Sequence, residues 1–251
     1  MPDTVRTVAA LQGLLADNAA GDISAQDVRD VLVSAFPYVW RPSSAGDYDD
    51  LFDADSEADW TAVAPDSGSA AWAYDYLTRV GLGRGVHLAF EDADGTDVTA
   101  YVKSVAGIAT GDYIQTAIDF ALLDASGSSP GVGPIFTDGV TSAADFALGG
   151  LLSSSDALAW WGADGTLGAT NAGTFTQNIN TVGLIHIRLL YSAANTFQLL
   201  ASLNGEDFSQ VGSDIAHVFT PTHAGFGAYL SNPTTPQFAH FQYFHSNIVA
   251  P

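Results

Sequence analysis

The sequence predicts a mainly β protein: an antiparallel jelly roll or β-sandwich preceded by a short N-terminal helical hairpin. Three observations carry this expectation. Beyond about residue 70, candidate strands recur at intervals of about ten to fifteen residues. Several are separated by Asp94-Gly95, Asp138-Gly139, Asp164-Gly165 or Asn204-Gly205, dipeptides suited to tight hairpin turns. No long helical periodicity interrupts them, whereas residues 1–36 read as two short amphipathic helices. The expected organisation is a helical leader over 1–36, an acidic Pro/Ser/Gly linker over 37–65, and a jelly-roll domain over 66–251.

The first helix is expected from Thr4 to about Ala16, with Val5, Val8, Leu11 and Leu15 on one stripe. Asn18 to Gly21 supplies the turn. The second helix starts at Ser24, an N-cap candidate with Asp27 at the third helical position, a variant capping box. Ile23 and Val28 are placed to form a hydrophobic staple across that start. Asp22 and Asp27 lie at the positive end of the helix dipole. Val28, Val31, Leu32 and Ala35 form the second stripe, and Pro37 ends the helix. Helices of ~12 residues are marginal alone in water, so both stripes must bury against something. The alternatives are the protein's own β domain, or other copies and a larger assembly. The expected assembly residues are Val5, Val8, Leu11, Leu15, Ile23, Val28, Val31 and Leu32.

In the linker, Asp47, Asp49, Asp50, Asp53, Asp55, Glu57 and Asp59 crowd together, a run expected to be solvated and mobile. Trp60 and Trp72 are expected where the chain rejoins a core. The expected strands are Trp72–Val80, Gly85–Glu91, Asp97–Val105, Tyr113–Leu123, Asp145–Leu152, Ala157–Trp161, Leu184–Tyr191, Thr196–Leu203, Asp207–Val211, His223–Leu230 and Gln237–His245. Phe197, Leu199, Ala201 and Leu203 alternate toward one face. In the last strand, Phe241 and Tyr243 are expected to oppose Gln242 and Phe244. No convincing fixed-period repeat argues for a propeller or a β-helix.

Composition narrows the function classes. The chain has 251 residues, 47% of them hydrophobic, ample for a core. It carries 28 acidic residues against seven basic ones, a formal charge of −21. Only Glu57, Glu91 and Glu206 are glutamates, and Lys103 is the single lysine. Such a surface repels nucleic-acid phosphates and anionic membranes, so neither is an expected partner. The chain has no cysteine, which removes disulfides, thiolate metal sites and cysteine nucleophiles. No secretory leader and no membrane-spanning apolar run is read, so synthesis in a cytoplasm is expected.

Two resemblances add to this. Leu14-Leu15-Ala16-Asp17-Asn18-Ala19-Ala20-Gly21-Asp22-Ile23-Ser24-Ala25-Gln26-Asp27-Val28-Arg29-Asp30-Val31 resembles a leader recurring in fibre, head-decoration and other surface proteins of tailed bacteriophages. This resemblance implies a non-enzymatic virion component, often a homotrimer, contacting capsid or tail proteins at the virion surface. A capsid-decoration or head-fibre role is favoured because no long shaft is present. A tail-fibre or receptor-binding protein, or a carbohydrate-binding module recognising a host glycan, is the alternative.

The second resemblance covers about the last 130 residues. Ile187 with Arg188, then Asn204-Gly205-Glu206-Asp207-Phe208, Ala224 to Leu230 and Phe238 to Phe244 look like the C-terminal half of concanavalin A-like lectin/glucanase jelly rolls. Glucanases of that fold use an E-x-D-x-x-E or related carboxylate cluster, since two carboxylates must flank a glycosidic bond. The three glutamates lie in no such arrangement, so no catalytic residue is expected and the chain is expected not to be an enzyme.

The remaining motifs are weak. His87, His186, His217, His223, His240 and His245 show no metal-ligand spacing, and no metal site is expected. His186 sits in an apolar strand and is expected to be structural. Asp92 and Asp94 fall in a turn expected to be solvated, with weak Ca2+ binding as the alternative; the acidic run of Asp47 to Asp59 lacks ordered D-x-D-x-D-G spacing for such a site. Ser153-Ser154-Ser155 lacks a G-x-S-x-G context, and Gly81 to Gly85 leads into a strand and not a helix. Trp160-Trp161 is the candidate glycan contact. Adjacent strand residues face opposite sides, so one indole can fill the core while the other meets a ligand or a subunit.

Overall fold

The computed structural model describes residues 47–52, 55–63, 69–73, 85–91, 96–119, 131–141, 144–152, 157–163, 168–174, 184–231 and 237–250. The helical leader, with Val5, Val8, Leu11, Leu15, Ile23, Val28, Val31 and Leu32, lies outside them. So do Asp92, Asp94 and Ser153 to Ser155.

Fifteen strands are described. They are β1 Thr61–Val63, β2 Ser69–Ala73, β3 Val86–Glu91, β4 Thr96–Ser104 and β5 Tyr113–Asp119. Next come β6 Gly131–Thr137, β7 Phe146–Leu152, β8 Ala157–Ala163, β9 Gly168–Thr174 and β10 Leu184–Ala193. The last five are β11 Thr196–Ser202, β12 Ser209–Gln210, β13 Ile215–Ala216, β14 His223–Ser231 and β15 Gln237–Ser246. One sheet has seven strands in the order β1-β4-β14-β6-β7-β8-β9. The other has eight, in the order β12-β11-β10-β5-β15-β3-β2, with β13 also paired to β11. Neighbours are antiparallel, and the two sheets form a sandwich, as the alternating apolar pattern requires.

The layer between the sheets is aromatic at one end. Phe226 of β14 packs on Trp60 and Phe241 with ring centroids 4.8 Å apart in each case, and Trp60 meets Phe244 at 5.1 Å. Trp60 is buried and Trp72 packs against the same core, as the sequence suggests. Ile185, Ile187, Leu189 and Tyr191 of β10 face Phe197, Leu199 and Ala201 of β11 in this layer. The seven-stranded sheet also carries a second buried apolar layer. Val63, Val98, Ala100, Val102, Ile135, Phe146 and Leu148 are buried on the face away from the central core. A sheet with both faces buried reads as a continuous apolar run, and β6, Gly-Val-Gly-Pro-Ile-Phe-Thr, is buried at every position.

Several expectations are corrected. The acidic run is not a free linker from Asp47 onward. Asp50 and Phe244 exchange backbone hydrogen bonds of 2.9 and 2.7 Å. The Asp49 carboxylate accepts from Ser246 N at 2.8 Å, and the Asp47 carboxylate accepts from Ala250 N at 2.9 Å. Asp50 accepts from the Trp60 indole at 2.9 Å and Asp55 from the Trp72 indole at 3.2 Å. Carboxylates that satisfy backbone and indole N–H groups are structural acceptors, and that outweighs their mutual repulsion.

Asp94-Gly95 does not close a hairpin, because β3 and β4 belong to different sheets. The other three Gly-containing turns do join paired strands. Strands β1, β6, β9 and β13 are additions. β6 was hidden by Gly131, Gly133 and Pro134, residues that normally punctuate strands. Its ladder to β7 lapses at Gly133 and Pro134 and resumes in the same register, with Val132 opposite Leu151 and Ile135 opposite Leu148. That lapse accommodates the missing proline N–H. In β15 a bulge between Phe241 and Phe244 puts both phenylalanines in the core and Tyr243 on the opposite face.

Candidate functional site

Strands β10, β5 and β15 lie side by side at the centre of the eight-stranded sheet. Their core-facing residues alternate with a polar set on the other face. Arg188 of β10, Gln115 of β5 and His245 of β15 are direct register partners in a row across the three strands. Around them stand His186, Tyr113 and Tyr243, with Phe208 arriving from the loop after β11.

Arg188 is the centre of this set. Its guanidinium carbon lies 3.9 Å from the Tyr113 ring centroid and 3.8 Å from that of Phe208, a cation–π contact with each ring. Arg188 Nε and Nη2 donate to Gln115 Oε1 at 3.1 and 2.8 Å. Gln115 Nε2 then donates to Tyr243 Oη at 2.5 Å. Tyr243 Oη also lies within hydrogen-bond distance of His186 Nδ1, at 2.7 Å. The order of donors is fixed from Arg188 through Gln115 to Tyr243, because an arginine can only donate.

Burial sets the charges. His186, Gln115 and Tyr243 are essentially inaccessible. Burial lowers the His186 imidazole to about 4, so the ring is neutral at pH 7. Burial pushes the Tyr243 phenol well above its ordinary value, so it stays protonated. Burial also lowers Arg188, opposed by Tyr113 and Tyr243, but a guanidinium remains charged. A second polar group adjoins. His245 Nδ1 donates to Asp49 Oδ2 at 2.6 Å, and His245 Nε2 lies 3.2 Å from Tyr113 Oη. Asp49 thus anchors the acidic segment beside the arginine without touching it.

The turn that carries Phe208 is internally tied. Asn204 Oδ1 accepts from Glu206 N at 3.0 Å and Asp207 N at 2.9 Å, and Asn204 Nδ2 donates to Asp207 Oδ2 at 2.8 Å. Gly205 supplies the positive φ of 76° that this turn requires. The Ile187/Arg188 and Asn204 to Phe208 motifs, separated in sequence, therefore meet in one contact.

Trp160 and Trp161 lie in β8, opposite Gly149 and Leu148 in register, on the other sheet. Their side chains are outside the described set. The sequence does not mark the Arg188 cluster as a site; its signals are the basic residue in an apolar strand and the Ile187-Arg188 and Asn204 to Phe208 motifs. Among the described residues, no group of three His, Cys, Asp or Glu side chains converges as a metal site.

No protein-family model matches the chain, and no curated protein matches it. Solved structures do. A Bacillus subtilis protein of unknown function with a galectin-like fold matches at TM-score 0.50 and 9% identity, covering 83% of this chain and 98% of that one. A Bacillus licheniformis beta-glucanase matches at TM-score 0.46 and 9% identity, covering 80% of this chain and 97% of that one. A bifunctional GH43-CE protein of Bacteroides eggerthii matches at TM-score 0.45 and 10% identity. That match covers 72% of this chain, which spans only 24% of the Bacteroides protein. The shared feature is the fold, a concanavalin A-like or galectin-like β-sandwich.

These neighbours correct one expectation. The reading that the chain is not an enzyme rested on a missing linear carboxylate motif. A beta-glucanase and a bifunctional GH43-CE protein are among the matching structures, so that exclusion does not stand.

Proposed function

We propose that the chain is a virion-surface protein that presents a glycan-recognising β-sandwich, with residues 1–36 as its attachment or self-association segment. The observation that carries the recognition half is Arg188 packed on the rings of both Tyr113 and Phe208, with Gln115 fixing its edge. Sugar sites combine ring surfaces, on which apolar C–H faces rest, with few polar groups held in place. This cluster supplies both, and its buried half makes it rigid before any ligand arrives. The virion half rests on the wording of the leader and on its two apolar stripes, which need a partner surface.

The recognition half is tested by titrating the full chain with polysaccharide from the surface of the host bacterium. Binding that weakens in Phe208→Ala supports it; no binding to any host polysaccharide overturns it. The leader is tested by Leu32→Asp, followed by light scattering after size exclusion. Dissociation with an unchanged β circular-dichroism signal is the expected result. Assembly that survives the substitution removes self-association from the proposal.

A further inference from the structure

We infer that the ligand of the Arg188 site carries a carboxylate, as in an acidic sugar of the uronate or sialate kind; this rests on the glycan reading above. A guanidinium presents two forks of parallel N–H donors. In Arg188 the side-on fork, Nε and Nη2, is closed on Gln115 Oε1. The end-on fork, the two N–H groups of Nη1 and Nη2 that point along the side chain, meets no acceptor among the described residues. The rings of Tyr113 and Phe208 both pack on the guanidinium carbon, so the end-on fork is the pair of donors left for a ligand.

The charge environment singles this arginine out. The protein has 28 acidic residues, yet Arg188 lies within ion-pair distance of no described carboxylate. Its acceptor is a neutral amide. The nearby carboxylate of Asp49 is fully buried and already held by His245 Nδ1 and Ser246 N. Lys103, by contrast, sits 3.7 Å from Asp50. A half-buried cation left without a counter-charge is costly, and its partner in a complex gains what the fold leaves unused. Carboxylate is the acceptor whose two oxygens match an end-on fork. A neutral hydroxyl would engage one donor and leave the charge uncompensated.

The test uses the full chain and two probes, a glucuronate-containing oligosaccharide and an N-acetylneuraminate-containing one, each beside its carboxyl-reduced form. Calorimetric or NMR titration reads the affinities. The expected result is that at least one acid binds about ten- to a hundredfold tighter than its reduced form, the range for a charge-assisted bidentate contact. Arg188→Lys, which keeps the charge but loses the fork, removes that difference. Gln115→Glu gives a second variant: it keeps the shape and the contact to Nε and Nη2 but neutralises the cation, and it too removes the preference for the acid. Equal binding of acid and reduced forms, unchanged in Arg188→Lys, overturns the inference and leaves the glycan reading standing. Binding of a neutral host polysaccharide with no binding of either acid does the same. Absence of all glycan binding overturns both.

Discussion

Phe208 lies against the Arg188 guanidinium at 3.8 Å, and Tyr113 packs on the same group at 3.9 Å. One residue belongs to a central strand and the other to a turn, so the contact ties the Asn204 to Asp207 loop down onto the sheet. The same contact organises the proposed binding surface and contributes to stability.

Phe208→Ala is therefore expected to lower unfolding free energy by about 1–2 kcal/mol, combining a lost cation–π contact with lost apolar burial. Urea denaturation followed by far-ultraviolet circular dichroism checks this. An unchanged midpoint would show that the ring contributes nothing to the fold.

His186 makes stability depend on pH. Its folded value is about 4, below the ordinary 6.5, because burial disfavours the charged ring. Between these values the unfolded chain binds the extra proton and the folded chain does not. The contribution of a neutral His186 is complete above pH 6.5 and declines as pH falls toward 4, by on the order of 3 kcal/mol in total. Comparing thermal unfolding at pH 7 and pH 4.5 for the native chain and for His186→Gln separates this residue from other titrating groups. Parallel losses in both proteins would refute its role.

Asp49→Ala strips an acceptor from Ser246 N and from the His245 ring in a fully buried place. Leaving such donors unsatisfied costs about 1–3 kcal/mol. The expected effect is local, with faster proteolytic cleavage or hydrogen exchange around residues 47–52. Identical protection in the variant would mean that the Asp50–Phe244 backbone pair alone holds the segment.

Gly133→Ala places a methyl group where the ideal position lies 1.9 Å from the Gly149 carbonyl oxygen. Backbone cannot yield that distance cheaply, and overpacking of this kind costs about 1–3 kcal/mol or more. Loss of several degrees in thermal midpoint is expected, and an unchanged midpoint would show that β6 and β7 can separate.

Much of the sandwich was legible because strand alternation is a local consequence of burying one face. Phe197, Leu199 and Ala201 announce their core face, and Asp138-Gly139 and Asn204-Gly205 announce connections between paired strands. The signal failed where local chemistry and burial disagree. Gly131, Gly133 and Pro134 carry no strand signal, yet β6 is buried at every position and a methyl group at Gly133 would meet the Gly149 backbone. The acidic run read as solvent-facing because charge is normally solvated, yet Asp47, Asp49, Asp50 and Asp55 meet N–H groups on β15, Trp60, Trp72 and the C-terminal residues.

The sequence by itself determined the fold class, most strand positions and the closeness in kind of Ile187-Arg188 to its hairpin motif. These depend on periodicity and turn chemistry, which act between near neighbours. Which residues form the site was decided only by tertiary structure. The bulge in β15 turns Tyr243 away from the core, and register across β10, β5 and β15 then aligns Arg188, Gln115 and His245. A one-residue change of register reverses every side chain it touches, and no local pattern records the partner strand that fixes it.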